Sequence, residues 1–453
     1  QPDTGVTMRP IDRIREDPEG VRAMLEARGF AAPLDRIIAL DARSRELKSE
    51  TETLRAERNR ASKGGPPTDE VKARMRTVGT RIAEIDKELA TVDAELAGHL
   101  DWIPNVIAPG VPVGKNEADN VVVRQDDPRQ LPFAAKPHWE IGEALGILDI
   151  PRGTKLSGSR FYVLRGAGAA LQRALITWML DLKIEAGFIE IYPPFVTRRE
   201  TLQASAHLPH FDENLYRDED DDIWLIPTAE PQLVSLHRDE TIPFEKLPAR
   251  YVAYTACFRR EHMSAGRDVR GIKRGHQFDK VEMVVLCVPE ESPRELALLT
   301  EKAVEVLEQL DLPARVVERC SGDLGFVGVK VFDVEAWAPG AGARHEVQCG
   351  SDCGRPQGAR AGCPINRHAR GKPGTRPNRA RDATSGGASA HSTSGRVEKR
   401  ELGDEPASAF IAARARMRSN RSHAKPSLKA LLSHAQRGPR VAGTSCRAVR
   451  LLA

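Results

Sequence analysis

The sequence has no long apolar run and few aromatic side chains. Phe, Trp and Tyr make up 5% of the 453 residues, and the mean hydropathy is −0.43. No stretch reaches the roughly 18 consecutive apolar residues of a membrane-spanning helix, and the N-terminus lacks the apolar run of a signal peptide. These absences exclude a helical membrane protein, and we expect a cytoplasmic protein with no membrane partner.

The cysteine spacing of a small disulfide scaffold and glycine-rich phosphate loops are also missing. The seven cysteines do not have the spacing of a small disulfide scaffold, so we expect reduced thiols. No P-loop or dinucleotide-binding fingerprint is present. Several predicted strands return after long excursions with helices between them, which favours an α+β fold with an antiparallel sheet over a parallel Rossmann array.

Acidic side chains are scarce in the last part of the chain. The net charge is +4, but residues 354–453 have 21 Lys and Arg against 5 Asp and Glu, a net of +16, which leaves −12 for the rest. This tail is rich in Arg, Ala, Gly, Pro and Ser. Such a composition is typical of a disordered basic segment, and also of a GC-rich gene translated in a shifted frame.

Residues 9–100 predict a helical N-terminal region. A short helix begins at Asp17-Pro18 and ends at Gly29. Two long helices follow, because apolar residues recur at heptad spacing, and the Lys63–Asp69 segment between them contains Gly-Gly-Pro-Pro and cannot be helical. The seam comprises Leu40, Leu47, Leu54 and Ala61 on the first long helix and Val71, Met75, Val78, Ile82, Ile85, Leu89, Val92 and Leu96 on the second.

Two functions fit this antiparallel helix pair. One is a dimerisation coiled coil, and the other is a protruding arm whose basic side lies along a nucleic-acid backbone. The second interpretation is based on basic side chains predicted for the exposed face of the first helix, namely Arg43, Arg45, Lys48, Arg55, Arg58, Arg60 and Lys63.

A Pro- and Gly-rich linker, 102–115, leads into a second domain. Its predicted elements are a helix at 138–150, a strand at 159–164, a helix at 169–186 that ends at Gly187, a strand at 188–194, a strand at 223–226 and a helix that runs to His237.

The stretch from Tyr251 to Glu282 predicts two strands with a long polar loop between them. Arg259 and Arg260 leave the first strand together, and an arginine fork grips a phosphate through two parallel hydrogen bonds. Phe278 precedes the second predicted strand, Val281 to Val285, and such a ring stacks on a base. The stretch therefore indicates a nucleotide platform, with an edge hairpin and a solvated loop as the alternative.

Motifs in a specific order and spacing cover Met8 to about Asp352 and resemble those of bacterial seryl-tRNA synthetases, which are class II enzymes. After the helical arm they are LSGSRFYVL (156–164), GFIEIYPPF (187–195), IPTAE (226–230), FRRE (258–261), SAGRDVRG (264–271), HQFDKVE (276–282) and GDLGFVGVKVFDVEAW (322–337).

The resemblance implies a ligase that uses ATP and Mg²⁺ to attach L-serine to tRNA(Ser), and to tRNA(Sec), through a seryl-adenylate intermediate. It implies an antiparallel two-helix coiled-coil arm followed by a class II catalytic domain, in which helices flank an antiparallel sheet. It also implies a homodimer, with the 187–195 strand in the interface. The expected domains are a tRNA-binding arm at 8–114, a catalytic core at 115–353 and an irregular basic tail at 354–453.

The resemblance also assigns site residues. Arg259 and Glu282 are the expected catalytic residues, and Glu346 is expected to hold the Mg²⁺ that comes with ATP. The expected serine-binding residues are Thr228, Ala229, Glu230, Arg259 and Glu282. The expected ATP-binding residues are Arg259, Arg260, Glu261, Gly275, His276, Gln277, Phe278, Glu346, Val347, Gln348 and Cys349.

The chain departs from the family pattern at several positions. Residues 204–211 replace a Gly-rich loop, His262-Met263 replaces small residues, Gly275 replaces a valine and Cys349 replaces a metal-binding serine. The family's third motif is not recognisable after Gly354. However, codons for His434–Arg437 exist that, when read in the next reading frame, encode the beginning of that motif.

Three other interpretations remain open. The chain could be a catalytically impaired or different-substrate paralogue, or an RNA-binding protein without catalysis. A structural zinc site at His345, Cys349, Cys353 and Cys363 is the third, but reduced thiols in a loose segment fit the spacing better.

Overall fold

The computed structural model describes residues 10–61, 68–128, 130–261, 270–354 and 365–366. The chain divides into two units, residues 1–367 and 368–453, and all described residues belong to the first. The predicted Gly-Gly-Pro-Pro turn, His262-Met263 and nearly all of the basic tail lie outside the described residues, and so do Cys363 and the missing third motif.

Four helices form the N-terminal region; the last three agree closely with the sequence prediction, and the first was not predicted. They are α1 Pro10–Glu16, α2 Pro18–Ala27, α3 Leu34–Ala61 and α4 Asp69–Leu100. The Asp17 carboxylate caps α2 by accepting from the backbone N–H of Gly20 at 2.9 Å. Gly29 follows with a φ of +69°, which is the left-handed conformation that ends many helices.

The long helices α3 and α4 pack together along the predicted heptad seam. Leu47 and Ile85 are fully buried, and Leu40, Val78 and Ile82 are nearly so. At 1.5 Å per residue, helices of 28 and 32 residues extend about 40–50 Å. The predicted antiparallel arm is therefore confirmed.

Salt bridges between the helices change the predicted basic face of the arm. Arg43 Nε donates to Glu88 Oε1 at 2.8 Å, and Arg55 Nη2 lies 3.2 Å from Asp86 Oδ1. Lys48 Nζ lies 3.0 Å from Asp93 Oδ2. Carboxylates of α4 form ion pairs with these basic side chains of α3. This part of the face therefore carries charges of both signs and is not uniformly positive.

One buried arginine joins the base of the arm to the rest of the unit. Arg28 is 2% exposed, and its guanidinium donates to the carbonyl oxygens of Val106 at 3.2 Å and Gly328 at 3.1 Å. Burial lowers the pKa of Arg28 to about 10. These hydrogen bonds from Arg28 to distant backbone carbonyls hold the base of the helical arm against the rest of the unit.

The remaining elements form an α+β structure. The helices are α5 His138–Ala144, α6 Ile150–Ser157, α7 Ala167–Glu185, α8 Arg199–Ala204, α9 Glu230–Val234 and α10 Ser292–Gln309. The strands are β1 Val121–Gln125, β2 Leu148–Asp149, β3 Val163–Leu164, β4 Ile189–Glu190, β5 Val196–Arg198, β6 Arg217–Asp218, β7 Ile223–Leu225, β8 Ile242–Pro243, β9 Ala249–Phe258, β10 Gln277–Leu286, β11 Ala314–Glu318, β12 Lys330–Ala338, β13 Ala343–Asp352 and β14 Ile365–Asn366.

Two sheets position the site. One has the order β1-β11-β12-β13 and is antiparallel throughout, with α10 packed on it. The other has the order β10-β9-β4; its long β9–β10 hairpin is antiparallel, but β4 pairs with β9 in parallel. The α+β fold with a helical arm and an antiparallel sheet is confirmed, and the short parallel pairing of β4 with β9 is a local addition that the sequence did not predict.

Several predicted elements are shorter in the structure. The helix predicted for 138–150 ends at Ala144, because Gly146 has a φ of +64° and Leu148–Asp149 pairs as a strand. Strands predicted for 159–164 and 188–194 shrink to β3 and β4, and α9 ends at Val234 rather than His237. Among the described helices, none has the length and apolarity needed to cross a bilayer.

Candidate active site

The β9–β10 hairpin supplies one wall of the site. Glu282 lies opposite Ala253 and Phe278 opposite Cys257 in the antiparallel register. Because side chains alternate along a strand, Phe278, Lys280 and Glu282 share one face of the hairpin. The tip of the hairpin, residues 262–269, lies outside the described residues.

A hydrogen-bonded trio occupies this face. Thr228 is 2% exposed, and its Oγ1 donates to Glu282 Oε2 at 2.6 Å. Lys280 Nζ donates to Thr228 Oγ1 at 3.0 Å and forms an ion pair with Glu282. Burial lowers the pKa of Lys280, but the charge and hydrogen bond of Glu282 outweigh it, so the pKa is raised overall. The trio is therefore a preorganised polar group with charges of both signs.

The other predicted serine-binding residues lie beside the trio. Ala229 is fully buried, and Glu230 begins α9, with its backbone N–H 3.5 Å from Thr228 Oγ1. The Glu230 carboxylate is near enough to Lys280 to raise the lysine's pKa. The structure thus brings Thr228, Glu230 and Glu282 together, as the sequence predicts.

Arg259 covers the ring that was expected to stack on adenine. Its guanidinium carbon lies 5.0 Å from the Phe278 ring centroid, a cation–π distance, and its Nε donates to Pro227 O at 3.2 Å. Arg259 also contributes to the pKa shifts of Lys280 and Glu346. It is therefore within electrostatic range of Lys280 and of the second wall, formed by β12 and β13.

The next two residues of the FRRE motif make protein contacts. Arg260 Nε donates to Leu215 O at 2.9 Å, and its guanidinium lies 4.9 Å from the Tyr216 ring centroid. Glu261 has a φ of +52°, and its carboxylate lies 3.2 Å from Arg274 Nη1. A nucleotide contact by the Glu261 carboxylate would therefore compete with Arg274.

The residues before Phe278 pack tightly. His276 Nδ1 shares a 2.5 Å hydrogen bond with Tyr216 Oη, and its ring stacks on Phe161. A Cβ at Gly275 would lie 2.9 Å from Gln277 O, so the valine usual in the family would need a local shift. The Gln277 side chain itself is exposed.

A cavity of about 590 Å³ lies between the hairpin and α7. Tyr254 Oη donates to Asp279 Oδ1 at 2.7 Å there, and Gln172 donates to the other oxygen of Asp279. Asp279 alternates with Phe278 and Lys280, so it points to the opposite face of β10 from the trio. Gln277 and Phe278, two of the expected nucleotide contacts, line this cavity, but Thr228, Lys280 and Glu282 do not.

Strands β12 and β13 form the second wall, and a β-bulge aligns its functional groups. Asp333 lies directly opposite Cys349, and the register shifts at Val347. Residues three apart point to opposite faces of a regular strand, but the extra residue of the bulge returns Glu346 and Cys349 to one face. The ligand atoms of Asp333, Glu346 and Cys349 all lie within 4.8 Å of one another.

The neighbours of Glu346 diverge from this group. Gln348 Nε2 donates to Ala303 O of α10, at 3.1 Å, on the other side of the sheet, and the bulged Val347 is 41% exposed. Any contact of Gln348 with a nucleotide would come from its backbone. His345 and Cys353 do not belong to this metal-ligating group, and Cys363 lies outside the described residues, so the described residues do not form the zinc set considered above.

Arg319 balances part of the acidic charge on this wall. Its Nε donates to Asp333 Oδ2 at 2.6 Å, and its Nη2 lies 3.5 Å from Glu346 Oε2. Desolvation by the surrounding cleft raises the pKa of Glu346, and the charge of Asp333 raises it further. The same desolvation raises the pKa of the Cys349 thiol to about 12, although the residue is open to solvent on one side.

The carboxylates of this wall fit Mg²⁺, but the thiol does not. Asp333 Oδ1 is buried without a hydrogen-bond partner, and Glu346 is half-exposed toward the cleft. Mg²⁺ prefers oxygen ligands, so Asp333 and Glu346 suit it, whereas Cys349 is a poor substitute for a serine hydroxyl.

His207 and Lys280 are site residues to which the sequence analysis gave no role. His207 shares a 2.9 Å hydrogen bond with Ser205, and burial, reinforced by the charges of Arg259 and Lys280, lowers its pKa to about 3. Ala206 before it has a φ of +59°, a conformation that favours glycine. The replaced Gly-rich loop could have drawn attention to His207, and strand alternation from Glu282 could have drawn attention to Lys280.

Two family profiles match the chain. The seryl-tRNA synthetase N-terminal domain matches residues 8–107, and the tRNA synthetase class II core domain (G, H, P, S and T) matches residues 211–370. The first profile covers the helical arm, and the second covers the hairpin and the bulged strand.

Relatives and solved structures agree with these profiles. The serine–tRNA ligase of Roseiflexus sp. (strain RS-1) is 50% identical over 378 residues, which cover 82% of this chain and 88% of that protein. The serine–tRNA ligase of Thermomicrobium roseum is 51% identical over 342 residues, which cover 74% of this chain and 77% of that protein. The seryl-tRNA synthetase of Pyrococcus horikoshii complexed with ATP superposes with a TM-score of 0.75 at 36% identity, covering 81% of this chain and 89% of that one.

A second solved structure, the cytoplasmic serine–tRNA ligase of Naegleria fowleri in complex with AMP, has a TM-score of 0.72 at 28% identity and covers 80% of this chain and 87% of that one. Over most of its length, this chain is about 50% identical to proteins named serine–tRNA ligase. It contains the helical arm, the trio of Thr228, Lys280 and Glu282, and the bulged acidic wall. The chain belongs to the seryl-tRNA synthetase family of class II aminoacyl-tRNA synthetases.

Proposed function

We propose that this chain attaches L-serine to tRNA(Ser), and to tRNA(Sec), by way of a seryl-adenylate made from ATP. The observation that carries the proposal is the trio of Thr228, Lys280 and Glu282 beside Arg259. A pocket that hydrogen-bonds the substrate hydroxyl rejects an analogue without one, because its buried polar groups would then be unpaired. This geometry suits an amino acid with a hydroxyl side chain.

Each polar group has a role in the first step, in which the serine carboxylate attacks the α-phosphate and pyrophosphate leaves. Glu230 and Glu282 bind the serine ammonium and accept from its hydroxyl, with Thr228 holding Glu282 in place. Arg259 is within electrostatic range of this pocket and of the acidic wall, where it neutralises charge on the α-phosphate and the carboxylate. Phe278 offers a ring for adenine once Arg259 turns toward phosphate.

The remaining nucleotide contacts follow from the resemblance. Arg260, Glu261, Gly275, His276 and Gln277 shape the floor beneath the nucleotide, and backbone of the 346–349 segment lies at its phosphate end. Glu346, with Asp333 beside it, would hold Mg²⁺, which neutralises phosphate charge when bound.

Serine-dependent exchange of pyrophosphate into ATP tests this function. Arg259→Ala should lower the exchange rate by about 10²–10³-fold, because it removes a preorganised cation at the reacting phosphate. Arg294→Ala is the matched control, since Arg294 lies at the start of α10 and its side chain is 65% exposed. An Arg259→Ala variant that exchanges as fast as the unmodified chain would contradict the role given to Arg259.

The same assay separates this proposal from its rivals. An impaired paralogue or a pure RNA-binding protein would bind tRNA without serine-dependent exchange. The relatives that match are named serine–tRNA ligases, so neither rival is favoured. A complete lack of exchange by the folded chain would reverse that preference.

We also propose that residues 8–114 form a tRNA-binding domain, that residues 115–353 form the catalytic core and that the basic tail begins at 354. In this proposal the α3–α4 arm contacts tRNA outside the anticodon. Its apolar seam is already filled by its own two helices, which argues against a dimerisation coiled coil. We place the protein in the cytoplasm, where tRNA is charged.

A homodimer is the proposed assembly. Helix α7 is strongly apolar, yet within it only Gly168 and Lys183 are buried. The neighbouring edge strand and its continuation expose Ile189 at 58% and Tyr192 at 78%. A contiguous apolar surface of this kind is typical of a protein–protein interface.

A further inference from the structure

The bulged wall contains three side chains with metal-binding atoms on two neighbouring strands. Asp333 and Cys349 are directly opposed, and the bulge at Val347 adds Glu346 to the same face. Their ligand atoms lie within 4.8 Å of one another, which is short enough for one cation to contact all three after small rotations. Strand backbones, rather than loops, hold the group in position.

One oxygen of this group lacks a hydrogen-bond partner. Asp333 is 7% exposed, its Oδ2 accepts from Arg319, and its Oδ1 is buried without a partner. A buried carboxylate oxygen without a partner costs about 1–3 kcal/mol, and a cation at this position would satisfy it. The oxygen therefore points to a ligand independently of the clustering of acidic residues.

The charges and the ligand types favour a particular class of cation. Asp333 and Glu346 contribute two negative charges, and Arg319, 2.6 Å from one and 3.5 Å from the other, offsets one of them. A Cys349 thiolate brings the local charge to −2, which a divalent cation neutralises. Thiolate and carboxylate together suit Zn²⁺, Cd²⁺ or Co²⁺ much better than Mg²⁺.

We propose that Asp333, Glu346 and Cys349 form a site for a thiophilic divalent cation that binds the protein directly, without nucleotide. The thiol proton leaves to solvent as the sulfur–metal bond forms. Glu346 is half-exposed and Cys349 is exposed, so the remaining coordination positions face the cleft and are open to water or to a phosphate oxygen. The site lies in the proposed nucleotide pocket, but its existence does not depend on serine activation.

Spectroscopic titration tests the site without using catalysis. The full chain, stripped of metal and kept reduced by a phosphine, is titrated with Co²⁺ and then with Cd²⁺ in the absence of ATP. We expect a thiolate-to-metal charge-transfer band that saturates at one cation per chain. Cys349→Ser should abolish the band and weaken Cd²⁺ binding at least about tenfold, whereas Glu346→Gln should keep the band and weaken binding.

Cys287→Ser is the matched control, because Cys287 is a half-buried free thiol just after the end of β10, outside the bulged wall. It should bind Cd²⁺ like the unmodified chain. Circular dichroism checks that each variant is folded. The proposal is overturned if the unmodified chain shows no band, or if the band persists in Cys349→Ser. Neither result depends on pyrophosphate exchange, so failure of this site and failure of the proposed enzyme activity are distinguishable.

Discussion

His207, in the segment that replaces the family's Gly-rich loop, lies in an environment that disfavours its protonated form. Burial and the charges of Arg259 and Lys280 lower its pKa to about 3, against an ordinary value of about 6.5. Between these values the unfolded chain binds a proton that the folded chain does not. Stability from this residue is therefore present above about pH 6.5 and is lost as the pH falls toward 3.

We predict that His207→Gln makes the chain less sensitive to acid. The unmodified chain should lose up to about 1.4 kcal/mol of unfolding free energy per pH unit below about pH 6 through this residue alone, and the variant should not. Urea unfolding at about pH 7 and pH 5 measures the difference. His99→Gln, in the last turn of α4 at the base of the arm, is the control; equal acid sensitivity of both variants would contradict the assignment.

At the residue scale the motifs predicted much of the site. Thr228, Glu230 and Glu282 meet where the resemblance implies, because the start of α9 packs against β10 and Thr228 donates to Glu282 there. The sequence could not show that Arg259 covers Phe278 or that Arg274 pairs with Glu261, since both contacts depend on rotamers and on distant segments. Roles in substrate binding remain predictions.

At the scale of elements, periodicity predicted the long helices and missed local irregularities. The heptad seam of α3 and α4 is a repeated signal, so its buried residues could be predicted from the sequence. The bulge at Val347 is one extra residue whose position depends on the pairing of β12 with β13, so no local sequence pattern predicts it. The parallel pairing of β4 with β9 also depends on the tertiary fold, because a two-residue strand such as β4 does not specify its partner or direction.

The link between the arm helices and the core yields an element-scale prediction. Arg28→Met keeps the apolar stem but leaves the carbonyls of Val106 and Gly328 without their donor. We expect destabilisation of about 2 kcal/mol or more, because buried acceptors lose their partner. Thermal unfolding measures it, and limited proteolysis should show faster cleavage near the linker after Trp102.

Arg22→Met provides the comparison, since Arg22 pairs with Asp35 on the surface and its side chain is 41% exposed. Exposed ion pairs contribute little, so its unfolding temperature should stay close to that of the unmodified chain. Equal effects of the two substitutions would show that Arg28 does not anchor the helices.

At the scale of the whole molecule, the exposed apolar surface around α7 is the feature that a single chain does not explain. An apolar helix normally buries one face, but α7 leaves its large side chains partly accessible, and Tyr192 nearby is 78% exposed. Aromatic rings at the centre of an interface often account for about 2 kcal/mol or more of binding free energy. A second copy of the chain, seated on this surface, would bury them.

Tyr192→Arg should therefore weaken dimerisation by at least about thirtyfold, because it replaces an aromatic anchor of about 2 kcal/mol with a charge. Sedimentation velocity across a concentration series measures the shift from dimer to monomer. Val113→Arg, at a side chain that is 87% exposed in a loop, should leave the dimer intact. If the unmodified chain sediments as a monomer at all concentrations, or if Tyr192→Arg dimerises as tightly as Val113→Arg, the α7 surface is not the interface.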